Sequence, residues 1–536
     1  MPSSPLTFLD YLAIAAYLIA VAAIGYTVSK QGARTTKKYF IADRNMPHWA
    51  VAFTLMATLI SSNTLVAHPG IVFKNSMVLV PGFLVLPIVL VLIAKFVVPF
   101  YRRVIGLSAY EYIEKRFGLE SRMYSSFGFL IDRIFDIGVT LMTTALVVNV
   151  IAPQWPVAYV LFGLGIFTLL YTMIGGIAAV VWTDVLQGVI LIGGGLLIFL
   201  YLLFTPAAGA PFSTLTHAWE AGKFSFGSTE LTWASLFDTE NRTVWMFMIA
   251  MAIIWTRKYV SDQNMVQRYL LARTDQEARR AALLGAALSV PILIGFNLIG
   301  AALFGFYELS GATPPDVADK VLPHFIVTQL PNGIVGLIVA AILAASMSSV
   351  SSDLNSVGTV VTSDYFQRFL PRSADRTRLL VGRTTVLIAG LLAAAIGVWL
   401  IPSETSESTA SRVLAYATIL SAGTLGLFSL GFLTKRATRQ GAFAGIVACL
   451  LFTTWGTLTH GNSPIVDLGP FNWQMNFILL GVFGHFVLFG VGYLYSLLFG
   501  GYRPAGVEQL VVGAEVPDEE IAEPAYATGQ QKNGDL

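Results

Sequence analysis

Two clusters of small polar residues lie inside stretches that are otherwise apolar, and both carry oxygen atoms suited to a hard cation. The first cluster spans residues 57–64, Ala-Thr-Leu-Ile-Ser-Ser-Asn-Thr, and His68, Pro69 and Gly70 follow it. This order predicts a helix interrupted near its middle, because an unwound turn frees carbonyl groups for Na⁺ and N–H groups for substrate oxygens. The alternative is an unbroken helix whose hydroxyls bond to carbonyls one turn earlier.

The second cluster is a dense run of serines. It comprises residues 344–356, Ala-Ala-Ser-Met-Ser-Ser-Val-Ser-Ser-Asp-Leu-Asn-Ser. Ser348 precedes Ser351 by three residues and Ser352 by four, so the three hydroxyls lie on one helical face. Ala345 and Ser349 are also four residues apart, and a stripe of small residues that lets helices approach closely is the alternative. A functional role is favoured because the run ends in an acid and an amide, which packing alone does not require.

Charged residues in apolar stretches form a third group, because a charge in hydrocarbon is costly and asks for a reason. Asp184 is suited either to binding a cation or to capping a local helix start. Arg133 and Asp136 are three residues apart, which is suited to an ion pair on one helix. The remaining members are Asp132, Arg257 and Lys258. The two cations belong either to a positively charged membrane flank or to a solute site near a second helix break.

The elements that must position these residues are membrane-spanning helices. Of 536 residues, 55% are hydrophobic and 12% charged, and the mean hydropathy is +0.69. An average soluble domain has about 25% charged residues, so lipid must solvate much of this surface. Since a span needs about 20 apolar residues, the sequence predicts an all-α integral membrane protein with about thirteen transmembrane helices. The predicted limits are 7–29, 48–73, 77–100, 122–152, 155–176, 178–204, 243–262, 280–307, 331–364, 379–401, 411–433, 440–460 and 474–499.

The distribution of Lys and Arg predicts the orientation of these spans. If the N-terminus lies outside, alternate loops fall inside and carry roughly four times as many cations as the outside loops, as the positive-inside rule requires. The inside set includes Arg102, Arg122 and Arg268. This arrangement predicts a multi-pass protein of the cell (inner) membrane with a cytoplasmic C-terminus. The tail over 500–536 is acidic and rich in Gly, Pro and Ala, which favours disorder.

Several segments in order resemble the sodium:solute symporter family, which includes carriers of glucose, galactose, sialic acid and proline. The segments that carry the resemblance are residues 57–64, 99–103, 108–117, 171–177, 182–187, 267–269 and 347–356. The resemblance covers nearly the whole chain and implies a LeuT-type core of two five-helix inverted repeats, each beginning with a broken helix. The implied organisation is a first transmembrane helix and cytoplasmic loop at 1–47, repeat one at 48–204, an extracytoplasmic loop at 205–242, repeat two at 243–433, two C-terminal helices at 434–499 and the tail at 500–536.

The resemblance also implies where sodium binds. A first Na⁺ would be held by the carbonyls of Ala57, Ile60 and Ala345 and by the hydroxyls of Ser348 and Ser349. Members that resemble sialic acid carriers add a second Na⁺, for which the matching positions here are Asp184, Ser348, Ser351 and Ser352. An all-oxygen, mostly neutral ligand set suits Na⁺ as a hard cation. One or two Na⁺ ions are therefore expected as the cofactor.

The solute site departs from the family pattern. The matching positions are Ser61, Thr64, Phe83, Asp136, Trp255 and Lys258. Ser61 and Thr64 resemble sialic acid contacts, whereas Phe83 stands where those carriers place Gln or Glu. Asp136 stands at the position of the arginine that binds the sialic acid carboxylate. Trp255 and Lys258 replace the Asn and Tyr of galactose carriers. These differences argue against sialic acid itself and favour a hydroxyl-rich or zwitterionic solute.

The function that these observations favour is Na⁺-coupled import of a small polar solute, most simply a sugar or sugar-like compound, by alternating access. The alternatives are a Na⁺-coupled amino-acid or carboxylate symporter, a H⁺-coupled carrier titrating at Asp184, a carrier-like membrane sensor and a channel. An enzyme is not expected, because no nucleophile–base pair, zinc-type spacing or Walker loop is present. No basic patch interleaved with aromatics indicates nucleic acid. Cys449 is the single cysteine, so no intrachain disulfide forms, and the sequence does not indicate an oligomeric state.

Overall fold

The computed structural model describes residues 6–30, 35–236, 243–401, 422–460, 464–475 and 477–513, and within these ranges the protein is built from helices without strands. The α-helices are α1 Phe8–Lys30, α2 Thr36–Ile41, α3 His48–Leu59, α4 Ser62–Lys74, α5 Val80–Leu84, α6 Leu86–Leu92, α7 Val98–Val104, α8 Tyr110–Phe117, α9 Leu119–Ile151, α10 Val157–Phe204, α11 Ser213–Glu220, α12 Trp233–Leu236, α13 Val244–Ser261, α14 Gln263–Tyr269, α15 Asp275–Ser310, α16 Ala318–Gln329, α17 Ile334–Val360, α18 Asp375–Trp399, α19 Thr424–Leu433, α20 Arg439–Leu458 and α21 Phe477–Phe499. Stretches of π-helix at Ile93–Val97 and Val361–Gln367 continue α6 into α7 and extend α17.

Helix α17 is the centre of the bundle. It packs against α10, α9, α1 and α18, and nearly all of its residues are buried. Its serines therefore face other helices. A helix at the lipid boundary would instead expose one side. An apolar helix buried all round lies in the core of a large assembly of helices. The serine-rich segment is thus held among protein groups, where its hydroxyls must find protein partners or bound ligands.

The predicted interruption of the second span is present. Helix α3 ends at Leu59, Ile60 and Ser61 have extended backbones, and α4 begins at Ser62. The two halves are bent by 53°. The alternative of an unbroken helix is therefore wrong.

A second interruption separates α13 from α14. Asp262 has an extended backbone (φ −89°, ψ 117°), and its side chain accepts a hydrogen bond from the backbone N–H of Asn264 at 3.0 Å. Asp262 thus caps the N-terminus of α14, since a carboxylate there satisfies an unpaired N–H group. The break falls four residues after Lys258, about one helical turn, which agrees with the hypothesis of a solute site beside a broken seventh span.

Helix α10 contains a sharp kink where the sequence separates its fifth and sixth predicted spans. Gly176 has φ +61° and ψ −158°, a conformation that is essentially restricted to glycine. A Cβ atom at this position would lie 2.6 Å from the carbonyl oxygen of Tyr39. The ring of Tyr39 fills the kink and its hydroxyl donates to the Met173 carbonyl at 2.9 Å. The two parts, 157–175 and 177–204, are each long enough to approach a membrane crossing.

Substituting Gly176 by alanine is expected to destabilise the protein. The unfavourable backbone conformation costs about 1–3 kcal/mol, and the contact with Tyr39 adds to it. The matched control is Gly163→Ala on the same helix, where an added Cβ meets no atom within 4 Å. Thermal unfolding in detergent should show a lower melting temperature for Gly176→Ala and an unchanged or higher one for Gly163→Ala. Equal melting temperatures would contradict the role assigned to the kink.

Nine described helical segments are long and apolar enough to cross a membrane, or ten if the bent α3–α4 pair is one span. The prediction of a many-helix membrane protein is confirmed. The described part of predicted span 411–433 contains the helix Thr424–Leu433, and residues 411–421 lie outside the described ranges. The same holds for most of the tail, 514–536. Its first residues instead pack on the bundle, where the Leu510 carbonyl accepts a hydrogen bond from Tyr112 at 3.0 Å.

Several arginines that the sequence assigns to inside loops are buried in the protein. Arg102, Arg122 and Arg268 are 9%, 6% and 0% exposed. Arg122 on α9 donates to Asp364 at the end of α17, with Nε 3.0 Å from Oδ1. Eleven residues further along α9, Arg133 lies 3.4 Å from Asp353, which is eleven residues earlier on α17. The two helices run in opposite directions and are joined by two arginine–aspartate contacts, spaced about 16 Å apart along each helix.

Candidate cation and solute site

The first predicted sodium site comes together between α3 and α17. The Ser348 hydroxyl donates to the carbonyls of Ala57 and Ala345, each at 3.0 Å, and the Ser349 hydroxyl donates to Ala345 at 3.3 Å. These three hydrogen bonds link four of the five predicted ligands. Ile60 lies at the break, where α3 ends, and makes no hydrogen bond to α17 in the described part of the chain. All the oxygen atoms that could bind a cation here are neutral and buried, which is the chemistry that a hard monovalent cation requires.

The second predicted sodium site shares Ser348 with the first, and its other members are Ser351 and Ser352, about one turn further along α17, and Asp184 on α10. Asp184 is fully buried in the middle of α10 and accepts a hydrogen bond from Thr54 on α3. The interpretation of Asp184 as a helix cap is wrong, because Asp184 is far from either end of α10. Ser352 contacts Thr58 with 2.9 Å between their hydroxyl oxygens. The Ser351 hydroxyl donates to the Ser348 carbonyl at 3.2 Å, within its own helix.

A buried arginine completes this second group. The Arg268 guanidinium lies on α14, with Nη2 3.8 Å from Asp184 Oδ2, and it also donates to Ser352. The sequence places Arg268 in an inside loop, whereas in the structure it lies on the helix α14 and is 0% exposed. A fully buried guanidinium requires nearby acceptors or a counter-ion, and here Asp184 supplies the charge. The sequence signal was an isolated Asp within an apolar stretch, Asp184, which lacks a basic partner nearby in the chain.

The charged set on α9 forms a hub rather than a single ion pair. Arg133 contacts Asp132 at 2.6 Å and Asp136 at 3.0 Å on its own helix. It also lies 3.4 Å from Asp353 on α17 and 3.9 Å from Asp262 at the second break. The structural ion pair expected between Arg133 and Asp136 is present, but it is one contact of four. Arg133 thereby connects α9, α17 and the α13–α14 junction at one depth of the bundle.

The predicted solute residues surround the two helix breaks. Ser61 and Thr64 are half-buried at the start of α4. Phe83 on α5 stacks on His68 of α4, with 5.2 Å between ring centroids. Trp255 on α13 donates from Nε1 to the Gly82 carbonyl at 3.0 Å, which places it next to Phe83.

The two charged members of the predicted solute site, Asp136 and Lys258, lie on α9 and α13. The Asp136 side chain is 49% exposed although it is in the middle of a span. Lys258 lies within electrostatic reach of Asp136, Asp262 and Asp353. Arg257 lies similarly close to Asp132. The predicted solute residues of α4, α5 and α13 are thus linked through the His68–Phe83 and Trp255–Gly82 contacts, and the charged groups of α9 and α13 interact electrostatically.

These observations define a class of protein. A bundle of apolar helices with two interrupted spans, and with buried oxygen donors and charges at the interruptions, is the architecture of a secondary transporter. The chain belongs to the sodium:solute symporter family, whose sequence model matches residues 39–449. It is 30% identical to the sodium/sialic acid symporter NanT of Aliivibrio fischeri, over 92% of this chain and 93% of that protein. It is 27% identical to the sodium/glucose cotransporter of Vibrio parahaemolyticus, over 86% and 87%.

Solved structures agree with the sequence comparisons. The substrate-bound outward-open state of a Na⁺-coupled sialic acid symporter, described as revealing a novel Na⁺ site, superposes with a TM-score of 0.81 at 30% identity and covers 92% of this chain and 98% of that one. The nucleobase-cation symporter Mhp1 shares the fold alone, with a TM-score of 0.55 at 14% identity, over 87% and 94%. The protein is therefore a multi-pass, Na⁺-coupled solute symporter and not an enzyme.

Proposed function

We propose that the protein couples Na⁺ to import of a small, polar, sugar-like solute, and that its principal Na⁺ lies between α3 and α17. The observation that carries the proposal is the contact of the Ser348 hydroxyl with the carbonyls of Ala57 and Ala345. This contact joins a broken helix to the buried serine-rich helix through oxygen atoms alone. The ligands proposed for the principal Na⁺ are the carbonyls of Ala57, Ile60 and Ala345 and the hydroxyls of Ser348 and Ser349. A second Na⁺ is proposed at Asp184, Ser348, Ser351 and Ser352.

Sodium at the principal site favours one arrangement of the two helices over others. An ion that binds α3 and α17 together stabilises the state in which the break beside it is ordered, and solute binding to that state is then stronger. Each ion that crosses with a membrane potential of 100 mV contributes about 2.3 kcal/mol. Two Na⁺ ions thus supply enough free energy to concentrate a solute many-fold. Low internal Na⁺ then favours release.

The solute region favours a compound that carries several hydroxyls, or one that carries both a positive and a negative charge. Asp136 and Lys258 present opposite charges, and Ser61 and Thr64 add hydroxyls at the break of the second span. Trp255 and Phe83 are neighbours and are 8% and 4% exposed, so a sugar ring would pack against them only after these side chains become accessible. The relatives named as sialic acid and glucose carriers support a sugar-like solute. An amino acid or carboxylate is the second candidate, which the paired charges favour.

We also propose a topology of thirteen spans with the N-terminus outside and the C-terminus in the cytoplasm of an inner membrane. The positive-inside distribution of Lys and Arg supports this orientation. Two inverted repeats, 48–204 and 243–433, are proposed because each begins with a broken helix. The first break lies at Ile60 and Ser61 and the second at Asp262.

The experiment that tests this function has two stages. Purified protein is first screened by thermal shift against sugars, sialic acids, amino acids and carboxylates, each in NaCl and in KCl. A solute that raises the melting temperature only with Na⁺ is expected, since ligands that bind the folded state stabilise it. Uptake of that solute is then measured in proteoliposomes. An inward Na⁺ gradient should drive accumulation, and a pH gradient in K⁺ should not.

Accumulation with the pH gradient alone would support the H⁺-coupled alternative. A solute-evoked conductance that persists without a gradient of either ion would instead indicate a channel. Binding without uptake under any gradient would indicate a carrier-like sensor.

A further inference from the structure

Arg268 is a buried cation that the proposed solute site does not explain. Its guanidinium is satisfied on every nitrogen. Nε donates to Thr54 at 3.1 Å, Nη1 donates to Asn264 at 2.5 Å, and Nη2 donates to Ser352. Nη2 also lies 3.8 Å from Asp184 Oδ2. Arg268 and Asp184 are both 0% exposed, so this pair of charges is entirely enclosed by protein.

The guanidinium contacts two of the four ligands proposed for the second Na⁺, namely Asp184 and Ser352. The other oxygen of Asp184, Oδ1, is buried and has no hydrogen-bond partner among the residues that the structure describes. A cation next to Oδ1 would supply the partner that this oxygen lacks. A Na⁺ ion bound to Asp184 and Ser352 would lie directly beside the guanidinium. Like charges repel strongly in a buried site, so the two cations are poorly compatible in this arrangement.

We infer that Arg268 is a tethered competitor for the second Na⁺, and that movement of α14 exchanges one cation for the other at Asp184. The inference rests on the proposed second Na⁺ site. Helix α14 is seven residues long and follows the extended backbone of Asp262, which provides a hinge. Withdrawal of α14 removes the guanidinium from Asp184 and Ser352 and leaves their oxygens to Na⁺. By linkage, Na⁺ at this site must favour the withdrawn position of α14 as much as withdrawal favours Na⁺.

The first test removes the charge of Arg268 by substituting glutamine, which keeps a polar side chain. Na⁺ binding to purified protein is measured by equilibrium uptake of ²²Na⁺ and by isothermal titration calorimetry. Arg268→Gln is expected to lower the half-saturating Na⁺ concentration of the second ion at least about fivefold. Arg268→Lys retains a cation and should resemble the unmodified protein. The double variant R268Q/D184N should lose the gain. An unchanged second-ion affinity in Arg268→Gln would overturn the inference.

The second test uses the unmodified protein, so it remains decisive if Arg268→Gln fails to fold. Hydrogen exchange of residues 263–269 is compared in NaCl and in KCl. Na⁺ should accelerate exchange in α14, and the Asp184→Asn variant should show no such acceleration. If exchange in α14 is identical in the two salts while one Na⁺ ion binds per protein, competition between Arg268 and Na⁺ at Asp184 is contradicted. The proposed principal Na⁺ site is then unaffected. A protein that binds no Na⁺ under any condition would instead contradict the proposed principal site.

Discussion

Substituting Ser349 by alanine is expected to weaken Na⁺-driven uptake strongly while the protein still folds and reaches the membrane. Ser349 is 7% exposed, and its hydroxyl lies 3.3 Å from the Ala345 carbonyl. Removal of one hydroxyl ligand from a charged group costs about 1.5–3 kcal/mol. The half-saturating Na⁺ concentration should therefore rise about 10- to 100-fold. Initial rates of uptake as a function of external Na⁺, in proteoliposomes of matched protein content, measure this shift.

The matched control lies on the same helix. The Ser356 hydroxyl donates to the Asp353 carbonyl in its own helix at 2.8 Å and is not a proposed Na⁺ ligand. Ser356→Ala should therefore keep the half-saturating Na⁺ concentration of the unmodified protein. If Ser349→Ala transports solute with the same Na⁺ dependence as Ser356→Ala, the principal Na⁺ site is not between α3 and α17.

Substituting Arg122 by methionine is expected to give the largest loss of stability. Asp364 is 0% exposed and receives hydrogen bonds from Arg122 at 3.0 Å and from Ser108 at 2.7 Å. Removal of the guanidinium leaves a buried carboxylate without its cation, which costs about 3–5 kcal/mol. The melting temperature in detergent, followed through the fluorescence of the ten tryptophans, should fall by several degrees.

Two further variants separate the buried charge from the loss of a side chain. Arg368→Met removes a 43%-exposed arginine from its pair with Glu114 and should change stability by about 1 kcal/mol or less. The double variant R122M/D364L removes both buried charges and should be more stable than Arg122→Met alone. A double variant that is as unstable as the single one would show that packing around Arg122, and not the unpaired carboxylate, sets the loss.

Much of the helical framework could be predicted, because a membrane requires long apolar segments and these are legible in composition. The break after Leu59 was also predictable, since small polar residues and then Pro69 interrupt an apolar run. The contact of Ser348 with Ala57 followed from the family resemblance, and the structure places the two residues in hydrogen-bond contact.

The partners of the buried charges could not be predicted from the sequence. Arg268 and Asp184 are 84 residues apart, and Arg122 and Asp364 are 242 residues apart. A local pattern contains no information on which distant helix face will neutralise a charge, so an arginine at the end of a span reads as an exposed flank. The hub around Arg133 was foreseen only in its i,i+3 contact with Asp136, because its contacts with Asp353 and Asp262 depend on tertiary packing.

The two arginine–aspartate contacts between α9 and α17 restrict how the carrier can move. A slip of one helical turn, about 5.4 Å, would pull Arg122 from Asp364 and Arg133 from Asp353 at the same time. After such a slip, neither Asp364 nor Asp353 would lie next to the other arginine of these two contacts. Helices α9 and α17 must therefore move together as one rigid body throughout the transport cycle. The segments that pivot at Ile60 and Asp262 are then the ones that rearrange. Opening to either side is a rotation about the α9–α17 pair, and these two helices do not slide along each other.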